Sequence, residues 1–239
     1  MAMNTLQGKT ALITGGSKGI GYGIAESLLR EGMNVAITSR TQEAADAAVA
    51  RLAQAGAGKV IGITADVRDF GAQQTAVATT LNTFGGLDVL VANAGLGHFA
   101  PVTSMTPEQW HETIDTNLTG VFYSLKAALD ALVRSKGYFI SIASLAGTNF
   151  FAAGSAYNAS KFGLVGFTQA VMLDLREQGV KCSTIMPGSV ATHFNNHTPN
   201  PADAWKIQPE DIGQMVADLL KMNPRTLPSK IEVRPSNPG

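Results

Sequence analysis

Short runs rich in Val, Ile and Leu alternate with longer stretches of helical periodicity from residue 10 to residue 234, and nothing else in the 239-residue chain narrows its fold so far. The runs cover 10–14, 34–38, 59–65, 87–92, 138–143, 181–186 and 230–234. Most are nearly continuous in apolar residues, which is how a strand reads when helices cover both faces of its sheet. Helices are expected over 19–31, 42–55, 69–84, 107–134, 155–178 and 209–222. Thr106-Pro107-Glu108 sets a capping hydroxyl before a proline at the first helical position. Gln208-Pro209-Glu210-Asp211 puts proline and two acids in a first turn, where the helix dipole favours negative charge. The alternation predicts one α/β domain over 1–239, a doubly wound parallel sheet with helices on both faces and right-handed crossovers.

Composition limits the partners of such a fold. With 45% hydrophobic and 15% charged residues the chain has ample material for a core. Eighteen basic residues balance 18 acidic ones, so there is no broad basic field for nucleic acid or an anionic membrane, and neither is an expected partner. A single cysteine, Cys182, excludes an intrachain disulfide. Residues 1–9 lack the charged-then-apolar order of a signal peptide, and no apolar stretch reaches the ~18 residues of a spanning helix. A cytoplasmic location follows as the expectation. His98, His111, His193 and His197 are scattered, with no cysteine cluster nearby, so no metal is expected.

Any phosphate recognition must therefore be local. Thr14-Gly15-Gly16-Ser17-Lys18-Gly19-Ile20-Gly21 follows the first strand and opens the first helix. Glycines there tighten the turn and bring backbone N–H groups up to a phosphate, backed by the helix dipole; a tight β–α turn can also need glycine for its geometry alone. The second strand ends in Thr38-Ser39-Arg40, with no acid to hold an adenosine ribose 2′-hydroxyl. Arg40 and Lys18 lie where a 2′-phosphate would sit, which favours NADPH, although each is also what a solvated surface cation looks like.

Tyr157 and Lys161, four apart on an expected helix, share one face. An ammonium beside a phenol is expected to lower the phenol's pKa and make it a general acid towards a carbonyl oxygen. Ser144, at the end of the fifth strand, offers a hydroxyl to the charge developing on that oxygen; Ser141, inside the strand, and Ser155, opening the helix, are its rivals. Segment 188–207 has little periodicity and follows the sixth strand's carboxyl end, where doubly wound folds bind ligands. It reads as a substrate loop or as an irregular surface connection. Leu96, Phe99, Phe150 and Phe151 flank the expected mouth of the site, either for an apolar carbonyl substrate or as packing.

Taken together, Thr14 to Gly21, Asn93-Ala94-Gly95, Asn117, Ser144, Tyr157-Asn158-Ala159-Ser160-Lys161 and Pro187-Gly188 resemble the classical short-chain dehydrogenase/reductase family, in the right order along nearly the whole chain. The resemblance implies a Rossmann-type fold, a nicotinamide cofactor and a proton relay through Asn117, Ser144, Tyr157 and Lys161; with Lys18, Arg40 and the missing acid the expected reaction is reduction of a small-molecule carbonyl with NADP(H). The resemblance also implies cofactor contacts from Gly15, Ser17, Lys18, Gly19, Ile20 and Gly21, from Ser39 and Arg40, and from Asp66 and Val67 at the adenine. Asn93, Ala94 and Gly95, then Pro187, Gly188, Val190 and Thr192, complete that set with Tyr157 and Lys161. Read as bare residues, Asp66 could equally cap the next helix, and Asn93 could serve the turn that follows it.

Two features depart from the family pattern. Ala92-Asn93 stands where a double asparagine is common, and the chain ends without the glycine-rich finish of fatty-acid-synthesis reductases. The resemblance further implies a homo-oligomer, a tetramer, with helices 107–134 and 155–178 pairing between subunits; apolar helices are equally what a covered sheet needs in a monomer. Oxidation of an alcohol, or a non-catalytic nucleotide sensor on the same fold, are the alternatives. Retention of all four relay residues argues for an enzyme.

Overall fold

The computed structural model describes residues 5–237, so the extreme ends of the termini read above lie outside the described residues. Its strands are β1 (Thr10–Ile13), β2 (Asn34–Ser39), β3 (Val60–Thr64), β4 (Val89–Ala92), β5 (Tyr138–Ile142), β6 (Lys181–Pro187) and β7 (Lys230–Val233). All pair in parallel, in the order β3-β2-β1-β4-β5-β6-β7. β1 is therefore the strand from which the chain runs outward in both directions, and the crevice beyond its carboxyl end is where such sheets take ligands.

Residue alternation along the strands feeds two cores. Ile13, Val35, Ile37, Val91 and Ile140 face one, with α1 (Gly19–Arg30), α2 (Gln42–Leu52) and α7 (Pro209–Lys221) packed over them. Leu12, Ala36, Leu90 and Phe139 face the other, under α3 (Phe70–Phe84), α5 (Gly120–Ser135) and α6 (Ser155–Leu175). With apolar cover on both sides, every strand position profits from an apolar side chain, at roughly 25 cal/mol per Å² buried. This explains the near-continuous Val, Ile and Leu runs.

Several expected boundaries move, each for an identifiable reason. The expected helix 107–134 is interrupted: α4 (Pro107–Ile114) ends in a π turn, Asp115–Thr119, before α5 begins. There the Gly120 N–H bonds to the Asp115 carbonyl, one residue further back than in an α-helix. The widened turn accommodates Asn117, which is fully buried and bonded to the Leu96 backbone at both its amide oxygen and nitrogen. Ser144 lies beyond β5 rather than at its end, because its hydroxyl accepts from the Ala146 N–H (3.1 Å) and starts a 3-10 turn. Asp66 does not cap α3; Asp69 does, accepting from the Ala72 N–H. At Thr106 the expected cap is present as a full capping box with Gln109.

Candidate active site

The turn between β1 and α1 meets the loop after β4. Gly15 takes a φ of +64°, and a Cβ there would lie 3.0 Å from the Ala94 Cα; one on Gly21 would press on the Asn93 amide and the Gly15 carbonyl. Only glycine allows this approach of backbone to backbone. Asn93 ties the two loops together: its Nδ2 donates to the carbonyls of Thr14 (2.9 Å) and Gly15 (3.1 Å). Its amide thus braces the glycine loop, at the place where the family resemblance puts a cofactor contact.

Lys18 occupies the N-cap of α1 without a capping side-chain bond, which leaves the first turn open to an anionic group. Gly16 N–H donates to the Thr38 carbonyl (3.0 Å) and Gly15 N–H to the Thr38 hydroxyl (3.3 Å), fixing the loop beside Ser39 and Arg40. A phosphate-bearing dinucleotide fits this cradle. Lys18 and Arg40 are exposed at its rim, with no acid at the end of β2. Sequence reasoning missed two cations here. Arg51 reaches from α2 to the Ser17 carbonyl (3.3 Å) while covering the Tyr22 ring. Arg68 grips both oxygens of Asp66 and reaches Glu112 at 3.5 Å, and Glu112 bonds His98 (2.8 Å). The Arg68 hydrogen bonds, with Arg40 adding a weaker pull, hold the Asp66 carboxyl below its usual range. Arg68 was legible only as a neighbour of Asp66, since nothing in the spacing signals a pair two residues apart.

Helix α6 brings Tyr157 and Lys161 to the crevice, four residues apart on one face. Lys161 is 4% exposed; its Nζ donates to the Ile142 carbonyl (3.1 Å) and lies 5.7 Å from the centre of the Tyr157 ring. Asn117 Nδ2 donates to Ser160 Oγ (3.0 Å), which in turn donates to the Tyr157 carbonyl, so Asn117 is linked to the same helix turn. Ser144, Tyr157, Pro187, Gly188, Thr192 and Phe194 line a cavity of about 340 Å³. The aromatic wall was only partly legible. Phe99 and Phe194 lie 5.3 and 5.7 Å from the Tyr157 ring centre, and Phe151 joins Phe99 at 5.9 Å. Phe150, expected at the same mouth, is 85% exposed.

One electrostatic expectation is reversed. The phenol of Tyr157 is raised rather than lowered, chiefly by burial, with the Ser144 hydroxyl opposing the rise. Lys161 itself yields to burial, its ammonium falling from 10.5 to about 8. Burial thus penalises the charged form of both groups, and Lys161, releasing its proton near 8, is still mostly protonated at pH 7.

The buried ammonium has a stability cost with a definite sign. Folded Lys161 releases its proton near 8 and unfolded Lys161 near 10.5, so the cost is full below pH 8 and fades between about 8 and 10.5. Lys161→Met should stabilise the ligand-free protein at pH 7 by up to about 3 kcal/mol, the equivalent of that pKa difference. The gain should shrink steadily by pH 10 while turnover is lost. Urea unfolding at both pH values checks this, and a destabilised methionine variant at pH 7 would refute it.

Comparison with known proteins agrees with this geometry. The family model for short chain dehydrogenase matches residues 9–202. D-beta-hydroxybutyrate dehydrogenase of Cupriavidus necator is 40% identical over 189 residues, 78% of this chain and 72% of its own length. Among solved structures, an alcohol dehydrogenase from the archaeon Thermococcus sibiricus, complexed with 5-hydroxy-NADP, superposes with a TM-score of 0.90 at 30% identity, covering 97% of this chain and 99% of the other. A short chain dehydrogenase from Burkholderia cenocepacia in complex with NADP does so at 0.87 and 33% identity, covering 97% and 98%. A parallel sheet with this strand order, a glycine cradle at its switch point and a Tyr–Lys pair at the crevice leave one assignment: the chain belongs to the short chain dehydrogenase family, as an oxidoreductase that binds a nicotinamide dinucleotide.

Proposed function

We propose that the chain reduces a ketone or aldehyde to an alcohol with NADPH, Tyr157 delivering the proton to the carbonyl oxygen. The observation that carries this reading is the Tyr157 phenol and the Ser144 hydroxyl lining one cavity, together with Pro187 and Thr192. Bound in the cradle, the cofactor supplies a hydride. The chain's residues do the rest. Tyr157 and Ser144 receive the carbonyl oxygen, and Ser144, whose Oγ already accepts from Ala146, keeps its own proton for donation. Protonated Lys161 sets a positive charge beneath the Tyr157 ring, which favours the phenolate left after proton transfer. Asn117 serves the relay as a positioning residue, holding the Leu96 loop against α6 through Ser160. NADPH rather than NADH is the assigned cofactor because Ser39 and Arg40 stand where an acid would select NADH.

Consumption of NADPH by wild type and Tyr157→Phe over a panel of aldehydes and ketones tests the reading. Absence of turnover on the whole panel, with NADPH bound, would refute it. The reverse, oxidative direction is the second reading, favoured by the name of the hydroxybutyrate dehydrogenase relative.

A tetramer is the proposed assembly. Phe122 on α5 and Phe162 and Leu173 on α6 are 46%, 43% and 54% exposed, and pairing of these helices between subunits would bury them. Light scattering should return a mass near four chains of 25.0 kDa, falling on Phe162→Glu; a 25.0 kDa species at micromolar concentration would refute it.

A further inference from the structure

Segment 188–207 is not an unstructured connection. Its base is closed by the Ala191 N–H to the Ile207 carbonyl (2.9 Å) and the Ile207 N–H to the Ser189 carbonyl (3.1 Å). Inside this closed loop Asp203 is only 6% exposed. Its carboxylate accepts from Lys206 Nζ (2.6 Å), from the His197 ring at Nε2 (2.6 Å) and from the Asn200 N–H (3.0 Å). Those bonds, Lys206 first and His197 next, hold its pKa far below the usual carboxylate range, so it stays ionised. A buried carboxylate with three donors is a scaffold, and what it holds in place are two basic side chains.

Both His197 and Lys206 line the cavity that Ser144 and Tyr157 line. We propose that they form an anion-recognition subsite there, so that the carbonyl substrate carries a carboxylate. This assignment rests on the reading of that cavity as a carbonyl-reducing site. Asp203 takes one of the three ammonium protons of Lys206, leaving two to donate. Its bond to Nε2 leaves the Nδ1 edge of His197 uncommitted. Among the described residues no acidic side chain lines the cavity; the Asp203 carboxylate lies behind the two groups and offsets one positive charge, so an anion is met by their remaining donors. Fixing them in advance removes the ordering cost a lysine on a mobile loop would incur.

The phosphates of the cofactor share this anion chemistry, so the test separates the two sources. The methyl ester of each short oxo acid is its uncharged control. The acids 2-oxobutanoate, 3-oxobutanoate and 4-oxopentanoate are compared with their methyl esters by kcat/KM at saturating NADPH, in wild type, Lys206→Met, Lys206→Arg and His197→Gln. Wild type should favour at least one acid over its ester by about 10- to 100-fold, the scale of a partly screened charged hydrogen bond. Lys206→Met should lower that ratio about 10-fold, and Lys206→Arg should restore most of it. Should Lys206→Met fail to fold, His197→Gln and the wild-type ratio decide. Turnover of esters with no preference for any acid overturns the subsite while the carbonyl-reducing reading stands. Turnover of neither, by protein that binds NADPH, overturns both. An NADPH Kd weakened in Lys206→Met, with the acid-to-ester ratio unmoved, assigns these cations to the cofactor phosphates and overturns the inference.

Discussion

Tyr157→Phe should lose about 10²- to 10⁴-fold in kcat for carbonyl reduction, the range a positioned general acid contributes, while keeping its fold and its affinity for NADPH. The substitution deletes one oxygen. The ring that remains still packs against Phe99 and Phe194, at 5.3 and 5.7 Å between centres, so the aromatic wall survives. Ser144 loses a neighbour but keeps its bond from the Ala146 N–H, and so is not left unsatisfied. Stability should therefore change by no more than about 1 kcal/mol, the worth of one ordinary hydrogen bond. The cradle residues Gly15, Gly21 and Asn93 are tied to the β1 and β4 loops and not to Tyr157, which is why cofactor affinity should persist. Stopped-flow reduction and NADPH fluorescence titration separate the two effects. Normal turnover by the phenylalanine variant would remove Tyr157 from the mechanism, whatever its position.

The sheet was legible because its physics is local and repeated. A strand covered on both faces has no polar side to show, so the stretch from Tyr138 to Ile142 announces itself by composition. Helix starts were legible where caps are chemical, as at Thr106 and at Gln208-Pro209. The π turn at Asp115–Thr119 left no mark on the helical periodicity, since one inserted residue shifts the pattern by about a quarter of a turn. Its cause lies across the fold, in the two bonds between Asn117 and Leu96.

For the site, legibility followed regular secondary structure. Tyr157 and Lys161 are one helical turn apart, and their shared face could be read directly. Their protonation could not, because it is set by burial beneath groups from other elements rather than by each other. The grip of Arg68 on Asp66 and that of Asp203 on His197 and Lys206 depend on loop conformations for which side-chain spacing gives no signal. Those pairs are nevertheless what fixes the charge distribution around both ends of the crevice.

On the proposed NADPH preference, Ser39→Asp should convert it to a preference for NADH, with Arg40→Ala producing a smaller change in the same direction. β2 ends at Ser39, whose carbonyl accepts from the Ala65 N–H (2.9 Å), and the preceding Thr38 holds Gly15 and Gly16 of the phosphate cradle. A residue at 39 is thus fixed next to the adenosine end of the site. An aspartate there offers an acceptor pair to a ribose 2′-hydroxyl and repels a 2′-phosphate, so it acts on both terms of the ratio. Arg40 acts on one. Its guanidinium fork suits phosphate better than the point charge of Lys18, and a charged hydrogen bond is worth ~1.5–3 kcal/mol, or about 10- to 150-fold in affinity. Because Arg40 is exposed, solvent and salt bring its share towards about 10-fold. Lys18→Ala should cost less still. Placing a carboxylate at 39 also gives Arg40 a local partner, which draws its charge away from the phosphate and compounds the switch. The check is kcat/KM for NADPH and NADH at one saturating carbonyl substrate in wild type, Arg40→Ala, Lys18→Ala and Ser39→Asp. Equal use of both cofactors by wild type, or a ratio left unchanged by Arg40→Ala, would show that the 2′-phosphate is not held by Arg40.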